Sequence, residues 1–367
     1  MFAGSLCGAV LMKQHKIMES FGSVVLVVSL VFVIVCAIQP LGDSCRASAQ
    51  DTIAPTQTFR ATNVDEEREI PVVSCLSLDP TGRILAAGGD DHLVRLWEIH
   101  SGRIVATLAG HGDWVRGVAF TQDGNLVTAA QDGVVLLWSQ RANDGVWLAR
   151  ELAKGPRGTR TIEIRPDGRQ MTVVGFEKKI VVYELPSGRR TGEYAISESG
   201  IIDAAYSQDG RTLALVGRSG RILTFNTSTW RAGVSLDGSG RRGRAIVFLD
   251  DENRIAVAGD GGEVAIWNPS TGTQEQTLAA RPAKIFSLAL CGEDRLAVGG
   301  SDDKIITWNW KSGVELSECV GHVGTVDALE YLPEQGRLAS GAMDATLRIW
   351  PLLEPVVMPI PLQSTFP

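Results

Sequence analysis

Seven aromatic residues recur along this chain at nearly constant intervals. The steps between them are 41, 45, 42, 42, 41 and 42 residues, and each aromatic closes a run of strand-forming residues. The seven are Trp97, Trp138, Tyr183, Phe225, Trp267, Trp308 and Trp350. An internal repeat of this length that ends on an aromatic strand is typical of a four-stranded propeller blade. The spacing alone therefore predicts a repetitive, all-β architecture.

One repeat shows why its secondary structure is β. Residues 126–138 form two short apolar, β-branched runs separated by Gln131-Asp132-Gly133, a turn whose glycine tolerates positive φ. Another alternating run precedes this hairpin and ends at the turn residues Asp123-Gly124. Further turn residues follow the aromatic in most repeats, and a fourth run comes after them. Each repeat thus predicts four strands.

Seven such blades predict a closed ring, because a single blade buries little surface unless neighbours stack on it. A linear β-solenoid is the competing arrangement, but it would need capping segments, and the proline-containing residues after Trp350 form strands poorly. The last blade then lacks an outer strand. Residues 57–62 have strand composition and precede the first repeat, so we expect them to pair with the last hairpin. The predicted fold is an all-β, seven-bladed β-propeller of four-stranded antiparallel blades, closed by an N-terminal strand.

Two repeats carry four polar or aromatic residues at matching offsets, and through them the chain resembles the WD-repeat (WD40) family. These residues are His111, Thr128, Asp132 and Trp138 in the second repeat and His322, Ser340, Asp344 and Trp350 in the seventh. In that family the four side chains form a hydrogen-bonded chain inside the blade, so the resemblance implies structural roles for them. The other repeats depart from this pattern, with Ala87, Val298, Glu177, Ser219 and Gly261 at hydroxyl or aspartate positions. For the third to fifth repeats the resemblance implies blades held mainly by apolar packing.

An uncharged apolar segment near the N-terminus indicates export. Residues 21–38 follow two lysines, which favours a propeller outside the cytoplasm. Ala47-Ser48-Ala49 is a cleavage pattern that would leave Gln50 as the first mature residue, yet the apolar segment also approaches the length that spans a bilayer. A cleaved signal peptide and a retained anchor both stay open. The expected organisation is residues 1–49 as signal peptide or anchor, 50–56 as linker, 57–350 as propeller and 351–367 as a proline-rich, extended tail.

Composition and motifs argue against metal, cofactor and nucleic-acid chemistry. A net charge of -7 and a pI near 5.4 do not favour nucleic-acid binding. The five histidines include no pair at metal-ligand spacing. Residues 238–243 match a G-x-G-x-x-G pattern but lead into a strand, so we interpret them as a loop between blades. Cysteines 75, 291 and 319 are expected to be small buried residues. We expect no metal, no cofactor and no catalytic residue.

The most informative functional signal lies where the chain leads into the first strand of each repeat, which in the WD-repeat family opens onto the face that binds partners. Alignment on the aromatics places nine residues there: Trp114, Arg116, Arg160, Arg242, Arg244, Lys284, Phe286, Thr325 and Asp327. Cations predominate, and the two aromatics add the surface typical of a binding hot spot. These residues predict binding of a protein partner with an acidic surface. Ordinary solvated loop charges are the competing interpretation.

Taken as a whole, the sequence predicts an exported, bacterial-type WD-repeat propeller that is monomeric, is not an enzyme and acts as a scaffold or docking module. The alternative is an enzyme or small-ligand binder that uses the central channel. That alternative requires ionisable residues facing inward at the starts of the innermost strands, and the sequence indicates few there. A retained apolar segment would make the protein a membrane-tethered sensor, and only residues 21–38 would contact the membrane.

Overall fold

Seven β-sheets follow one another along the chain in the computed structural model. It describes residues 51–60, 71–238, 240–250, 252–278, 281 and 283–352. Two short strands come first, β1 (Asp51–Ile53) and β2 (Gln57–Arg60). The segment predicted to be a signal peptide or anchor and most of the proline-rich tail lie outside the described residues. Within the described ranges, no helix has the length and apolar character needed to cross a membrane.

The first four blades each contain four antiparallel strands in sequence order. Blade one consists of β3 (Val73–Leu78), β4 (Ile84–Gly89), β5 (Leu93–Glu98) and β6 (Arg103–Ala109). Blade two consists of β7 (Val115–Phe120), β8 (Leu126–Ala130), β9 (Val134–Gln140) and β10 (Trp147–Lys154). Blade three consists of β11 (Thr159–Ile164), β12 (Gln170–Gly175), β13 (Lys179–Glu184) and β14 (Arg190–Ala195). Blade four consists of β15 (Ile201–Tyr206), β16 (Thr212–Gly217), β17 (Ile222–Asn226) and β18 (Arg231–Leu236).

The last three blades complete the ring. Blade five consists of β19 (Gly243–Phe248), β20 (Ile255–Gly259), β21 (Val264–Asn268) and β22 (Thr273–Leu278). Blade six consists of β23 (Ile285–Cys291), β24 (Arg295–Gly300), β25 (Lys304–Asn309) and β26 (Val314–Val320). Blade seven contains β27 (Val326–Leu332), β28 (Arg337–Ala342) and β29 (Thr346–Pro351), with a short 3-10 helix, Pro333–Gln335, after its first strand. The predicted seven-bladed, all-β propeller is confirmed.

The outer strand of blade seven comes from the N-terminal side of the chain. Strand β2 pairs antiparallel with β29, with Gln57 opposite Ile349 and Arg60 opposite Thr346. Phe59 is buried, and its ring stacks on that of Trp97 in blade one with centroids 5.5 Å apart. Its packing therefore joins the last sheet to the first blade. The expectation that this segment closes the ring is confirmed.

Strand β1 extends a different blade. It pairs in parallel with β26, so the sheet of blade six has five strands. Ile53 is buried in a cluster with Ile305 and Trp350, which gives this short strand an apolar anchor. Residues 51–53 thus form a strand inside the range 50–56, for which the sequence predicts a linker. The free edge of β26 supplies hydrogen-bonding groups that the sequence pattern of 50–56 does not reveal.

The hydrophobic core lies between neighbouring blades, where their faces stack. One cluster joins Leu347 and Ile349 of blade seven to Leu85 and Trp97 of blade one. The same pairing of faces recurs around the ring, as where Val127 of blade two packs with Val173 of blade three in another cluster. Strand β27 also lies against β3. Because the first and last blades share a core, the array is a ring, in agreement with the prediction and against a solenoid.

Candidate functional site

Every innermost strand is interrupted by a β-bulge after its first residue. In each blade one residue is skipped in the pairing between the first and second strands. The seven skipped residues, which we call the bulge ring, are Ser74, Arg116, Arg160, Ile202, Arg244, Phe286 and Asp327. A bulge leaves the extra residue unpaired and re-aims its side chain. All seven line the central channel, which has a volume of about 500 Å³.

The backbone that leads into each bulge approaches the second strand closely. In blade five a Cβ on Gly259 would lie 2.0 Å from the carbonyl oxygen of Arg242. Only glycine tolerates such a contact. The close approach positions the chain so that Arg244, two residues further on, lines the channel.

Five of the nine predicted binding residues belong to the bulge ring, namely Arg116, Arg160, Arg244, Phe286 and Asp327. The other four each lie one residue before an innermost strand, and we call them the lead-in residues: Trp114, Arg242, Lys284 and Thr325. Lys284 is exposed, and Trp114 also lines the channel. All nine therefore lie at one end of the propeller, which we call the ring face. The sequence assigned all nine to loops, whereas the five bulge-ring residues lie in strands.

Ionisable residues line the start of the channel, and the expectation of few there is wrong. Besides the three arginines and Asp327, the lining includes Asp203 and Glu163, the fifth residue of β11. Sequence analysis missed Asp203 and Glu163, because alignment on the third-strand aromatics does not show which first-strand side chains face the axis. The available signal was a single acidic residue between apolar ones, in Ile162-Glu163-Ile164 and in Ile202-Asp203-Ala204.

Aromatic rings lie beside the guanidinium groups of the bulge ring. The Cζ atom of Arg116 lies 3.3 Å from the ring centroid of Trp114, and that of Arg244 lies 4.2 Å from the ring of Phe286. The Cζ atom of Arg160 lies 5.7 Å from the ring of Phe176. Stacking on an aromatic face fixes a guanidinium plane and leaves its in-plane N–H groups available for hydrogen bonds.

Two of these arginines have unused donors. The Nε atoms of Arg116 and Arg160 are buried and have no hydrogen-bond partner among the described residues. One terminal nitrogen of Arg116 donates to Gln131 Oε1 at 3.3 Å. Arg244 differs, since its Nε donates to Asp260 Oδ1 at 2.5 Å. Burial, followed by repulsion from Arg160, lowers the pKa of Arg116 to about 10, so it stays a cation at neutral pH.

The carboxyl groups of the channel are harder to ionise than usual. Burial raises the pKa of Asp327 and of Asp203 to about 6, although the neighbouring arginines act in the opposite direction. Burial also raises the pKa of Glu163, which lines the channel, well above its usual range, and that of Glu330 on β27 to about 7. The positive charge is therefore concentrated at the ring face, and carboxyl groups that are partly protonated near neutrality lie below it. The described residues contain no cluster suited to hold a metal ion.

A cysteine also lines the channel. Cys75 is free and half-buried, and burial raises the pKa of its thiol to about 12. The thiol is therefore protonated at neutral pH and a poor nucleophile. Cys291 and Cys319 are free and buried, in agreement with the expected role as small core residues.

The four polar residues of blade seven form a continuous hydrogen-bonded chain. His322 Nδ1 lies 3.0 Å from Asp344 Oδ2, and His322 Nε2 lies 2.6 Å from Ser340 Oγ. The indole N–H of Trp350 donates to the same hydroxyl at 2.8 Å. Although burial acts to raise it, the pKa of Asp344 is held below its usual range by hydrogen bonds from His322, Thr346 and the Val323 N–H. The carboxylate is thus a fixed part of the blade.

Blade two has the same chain with one connection missing. His111 Nε2 lies 2.6 Å from Thr128 Oγ1, and Trp138 Nε1 donates to that oxygen at 2.8 Å. His111 Nδ1 has no partner among the described residues, and Asp132 instead accepts the N–H of Val134. Burial lowers the pKa of His111 to about 4, so the ring is neutral at pH 7. The hydrogen-bonded chain of blade two thus consists of three side chains, His111, Thr128 and Trp138, and does not include Asp132.

In blades that lack the pattern, the polar atom of the aromatic side chain has a different hydrogen-bonding environment. In blade one, where Ala87 replaces the hydroxyl, the buried Trp97 Nε1 has no partner among the described residues. In blade three the hydroxyl of Tyr183 donates to the Lys154 carbonyl. These aromatics are buried mainly by apolar neighbours, as the resemblance implied.

Comparison with known proteins identifies the repeats. Residues 63–98, 102–139 and 313–351 match the family model described as WD domain, G-beta repeat. Similar proteins include a periodic tryptophan protein 2 homolog of Schizosaccharomyces pombe, 27% identical over 32% of this chain and 14% of that protein. A bromodomain and WD repeat-containing protein of Dictyostelium discoideum is 30% identical over 33% of this chain and 6% of that protein.

Apoptotic protease-activating factor 1 of Rattus norvegicus is 25% identical over 54% of this chain and 16% of its own length. The matches thus span less than a fifth of each of these three relatives. WD40 propellers are typically protein-interaction scaffolds and are generally not catalytic. The three matched segments include the two blades with the polar chains, and all seven blades share one architecture. Three segments of this chain are therefore similar to the WD40 repeat.

Proposed function

We propose that this protein is a monomeric docking module that binds a protein partner with an acidic surface through the ring face. The observation that carries the proposal is the group of three aromatic-flanked arginines at one end of the channel, two of them with unused donors. The chain as a whole has a net charge of -7, so this group of arginines is a local concentration of positive charge on an acidic protein. Complementary charge of this kind steers a partner and selects its orientation.

A small-ligand binder is the second candidate, and the volume of the channel favours it. About 500 Å³ lies within the usual size range of ligand pockets. Docking of a protein accounts for more of the surface, because Lys284, Arg242 and Trp114 continue the cationic and aromatic character outside the bulge ring. A small ligand inside the channel would leave the exposed Lys284 without a role.

Capture of the partner is expected to depend on the lead-in residues. We expect the Trp114→Ala/Arg242→Ala/Lys284→Ala protein to lose at least about tenfold in recovery of the partner, since a hot-spot residue contributes 2 kcal/mol or more. The measurement is an affinity pulldown from the native envelope fraction with quantitative mass spectrometry, using the full chain.

The matched control also removes two positive charges, but from the opposite end of the propeller. Arg83 and Arg169 are exposed and lie in the turns that follow β3 and β11. The Arg83→Ala/Arg169→Ala protein should capture the partner as the unaltered chain does. Full recovery by the lead-in variant, with its melting temperature unchanged, would remove the ring face as the binding surface.

We further propose that the propeller lies outside the cytoplasm, carried there by a bacterial-type export segment at residues 21–38. The support is the uncharged segment, the preceding lysines and the Ala47-Ser48-Ala49 cleavage pattern. N-terminal sequencing of the protein purified from its native cells should give Gln50 if the segment is cleaved and an earlier residue if it is retained as an anchor. Recovery of the protein in the cytoplasmic fraction with its complete N-terminus would contradict export.

A further inference from the structure

The unused hydrogen-bond donors at the ring face belong to two arginines that line the channel. Arg116 and Arg160 occupy the bulges of the adjacent blades two and three, and both line the channel. Their Nε atoms are buried and have no hydrogen-bond partner within the described part of the chain, while the planes of both groups lie beside aromatic rings. A buried, unpaired donor on a cation is unfavourable unless an acceptor reaches it. The two side chains thus form an incomplete site that lacks an acceptor.

The surrounding charges define what this acceptor is. Arg244 is already paired with Asp260. Asp327 lies near the three arginines of the bulge ring and opposes an incoming anion, and Asp203 lies below Arg160. The strands on either side of β27 contribute the uncharged Ser74 and Phe286. Because the two arginines lie near the carboxyl groups of Asp327 and Asp203, the site accommodates a ligand with one negative charge better than a ligand with two.

We propose that Arg116 and Arg160 bind the carboxylate of one aspartate or glutamate side chain of the partner, inserted into the mouth of the channel. This inference rests on the proposed docking function and gives the partner's acidic surface one defined contact. The N–H groups of a guanidinium match the two oxygens of a carboxylate. A phosphate carries a second charge, which Asp327 and Asp203 would repel. Trp114 and Phe286 provide apolar surface for the residue next to the acid.

Direct binding of a short acidic peptide tests this site. The probe is a fluorescein-labelled peptide of leucine and one glutamate, and the matched peptide has glutamine in its place. Fluorescence polarisation with the full chain should show binding of the glutamate peptide and at least about tenfold weaker binding of the glutamine peptide, which corresponds to about 1.4 kcal/mol. Equal binding of the two peptides would overturn the proposal.

Substitution of the arginines identifies the site. The Arg116→Gln/Arg160→Gln protein should bind the glutamate peptide at least about tenfold more weakly, the loss expected for one charged contact. The Arg83→Gln/Arg169→Gln protein carries the same charge change on the opposite end and should bind normally. Thermal melts establish that each variant is folded. An equal loss in both variants would show unspecific charge attraction and contradict the site.

A third variant should gain affinity, so misfolding cannot explain the result. Asp327 opposes the incoming carboxylate, and no side-chain hydrogen bond holds it among the described contacts. The Asp327→Asn protein should bind the glutamate peptide a few-fold more tightly at pH 7. In the unaltered protein, affinity should rise as the pH falls from 7 to about 5, because Asp327 and Asp203 take up protons while the peptide glutamate stays largely ionised. Asp327→Asn should reduce this rise, and weaker binding by this variant would overturn the proposal.

A competition experiment and the pulldown distinguish failure of the carboxylate site from failure of the docking function. Inorganic phosphate should compete with the glutamate peptide no better than acetate does, and stronger competition by phosphate would overturn the carboxylate assignment. If the pulldown recovers a partner that the Arg116→Gln/Arg160→Gln protein binds normally, the docking function stands and this site does not. If the pulldown recovers no protein that depends on the ring face, the docking function itself fails.

Discussion

The Phe59→Ala protein is expected to lose about 3–5 kcal/mol of unfolding free energy, the range measured for removal of a buried phenylalanine. Phe59 is the buried residue of the closing strand, and it packs on Trp97 in the next blade. Strand β2 has only four residues, so few other contacts hold it to β29. Loss of the phenyl ring should therefore weaken blade seven itself and its contact with blade one. Chemical denaturation followed by tryptophan fluorescence measures the change.

Thr58 provides the control for this substitution. It neighbours Phe59 on the same strand but is exposed, so Thr58→Ala should change the free energy of unfolding by less than about 0.5 kcal/mol. Deletion of residues 57–60 should lower the melting temperature at least as far as Phe59→Ala does, since it also exposes the edge of β29. A Phe59→Ala protein as stable as the unaltered chain would show that this strand does not close the ring.

The Thr128→Val protein is expected to lose about 2–6 kcal/mol of unfolding free energy. Thr128 Oγ1 lies within hydrogen-bonding distance of His111 Nε2 and accepts the indole N–H of Trp138. Valine keeps the shape of threonine but leaves both buried groups unsatisfied, at about 1–3 kcal/mol for each group. Burial prevents water from replacing the hydroxyl, because Thr128 is 0% exposed. Denaturant unfolding at pH 7 measures the loss.

The control is Thr107→Val on the exposed outer strand of blade one, which should change stability little. A double substitution that adds Trp138→Phe should cost less than the sum of the single changes, because it removes the indole donor together with its acceptor. Additive losses would mean that the hydroxyl and the indole act independently. Such a result would contradict a stabilising role for this chain of hydrogen bonds.

The strand order could be predicted from the sequence because each blade repeats the same local pattern. Turn residues, β-branched runs and the aromatic on the third strand recur every 41 to 45 residues, and each is a local preference of the backbone. The closing strand followed from counting, since blade seven had three strands and residues 57–62 had no other partner. Strand β1 could not be inferred in this way, because its three residues gain order only from the edge of blade six.

The nine residues predicted to bind a partner lie at one end of the propeller, but five of them lie in strands and not in loops. Their position near the start of each repeat follows from sequence alignment. Whether a side chain faces the channel depends on the bulge in the first strand, which shifts the pairing with the second strand by one residue. The bulge therefore changes which residues of the first strand point toward the channel, and simple alternation along the sequence does not identify them. For this reason Asp203 and Glu163 were missed and the channel was expected to contain few charges.

The amino-acid sequence by itself determined the number of blades, their four-stranded pattern and the closing strand. These features rest on local backbone preferences and on spacing along the chain. Only the tertiary structure decided that seven bulges bring one side chain per blade to a common axis, and that Arg116 and Arg160 lie there with unused donors. Residues about forty positions apart become neighbours only when the ring closes. Their burial and mutual electrostatics, which set the character of the site, exist only in the folded protein.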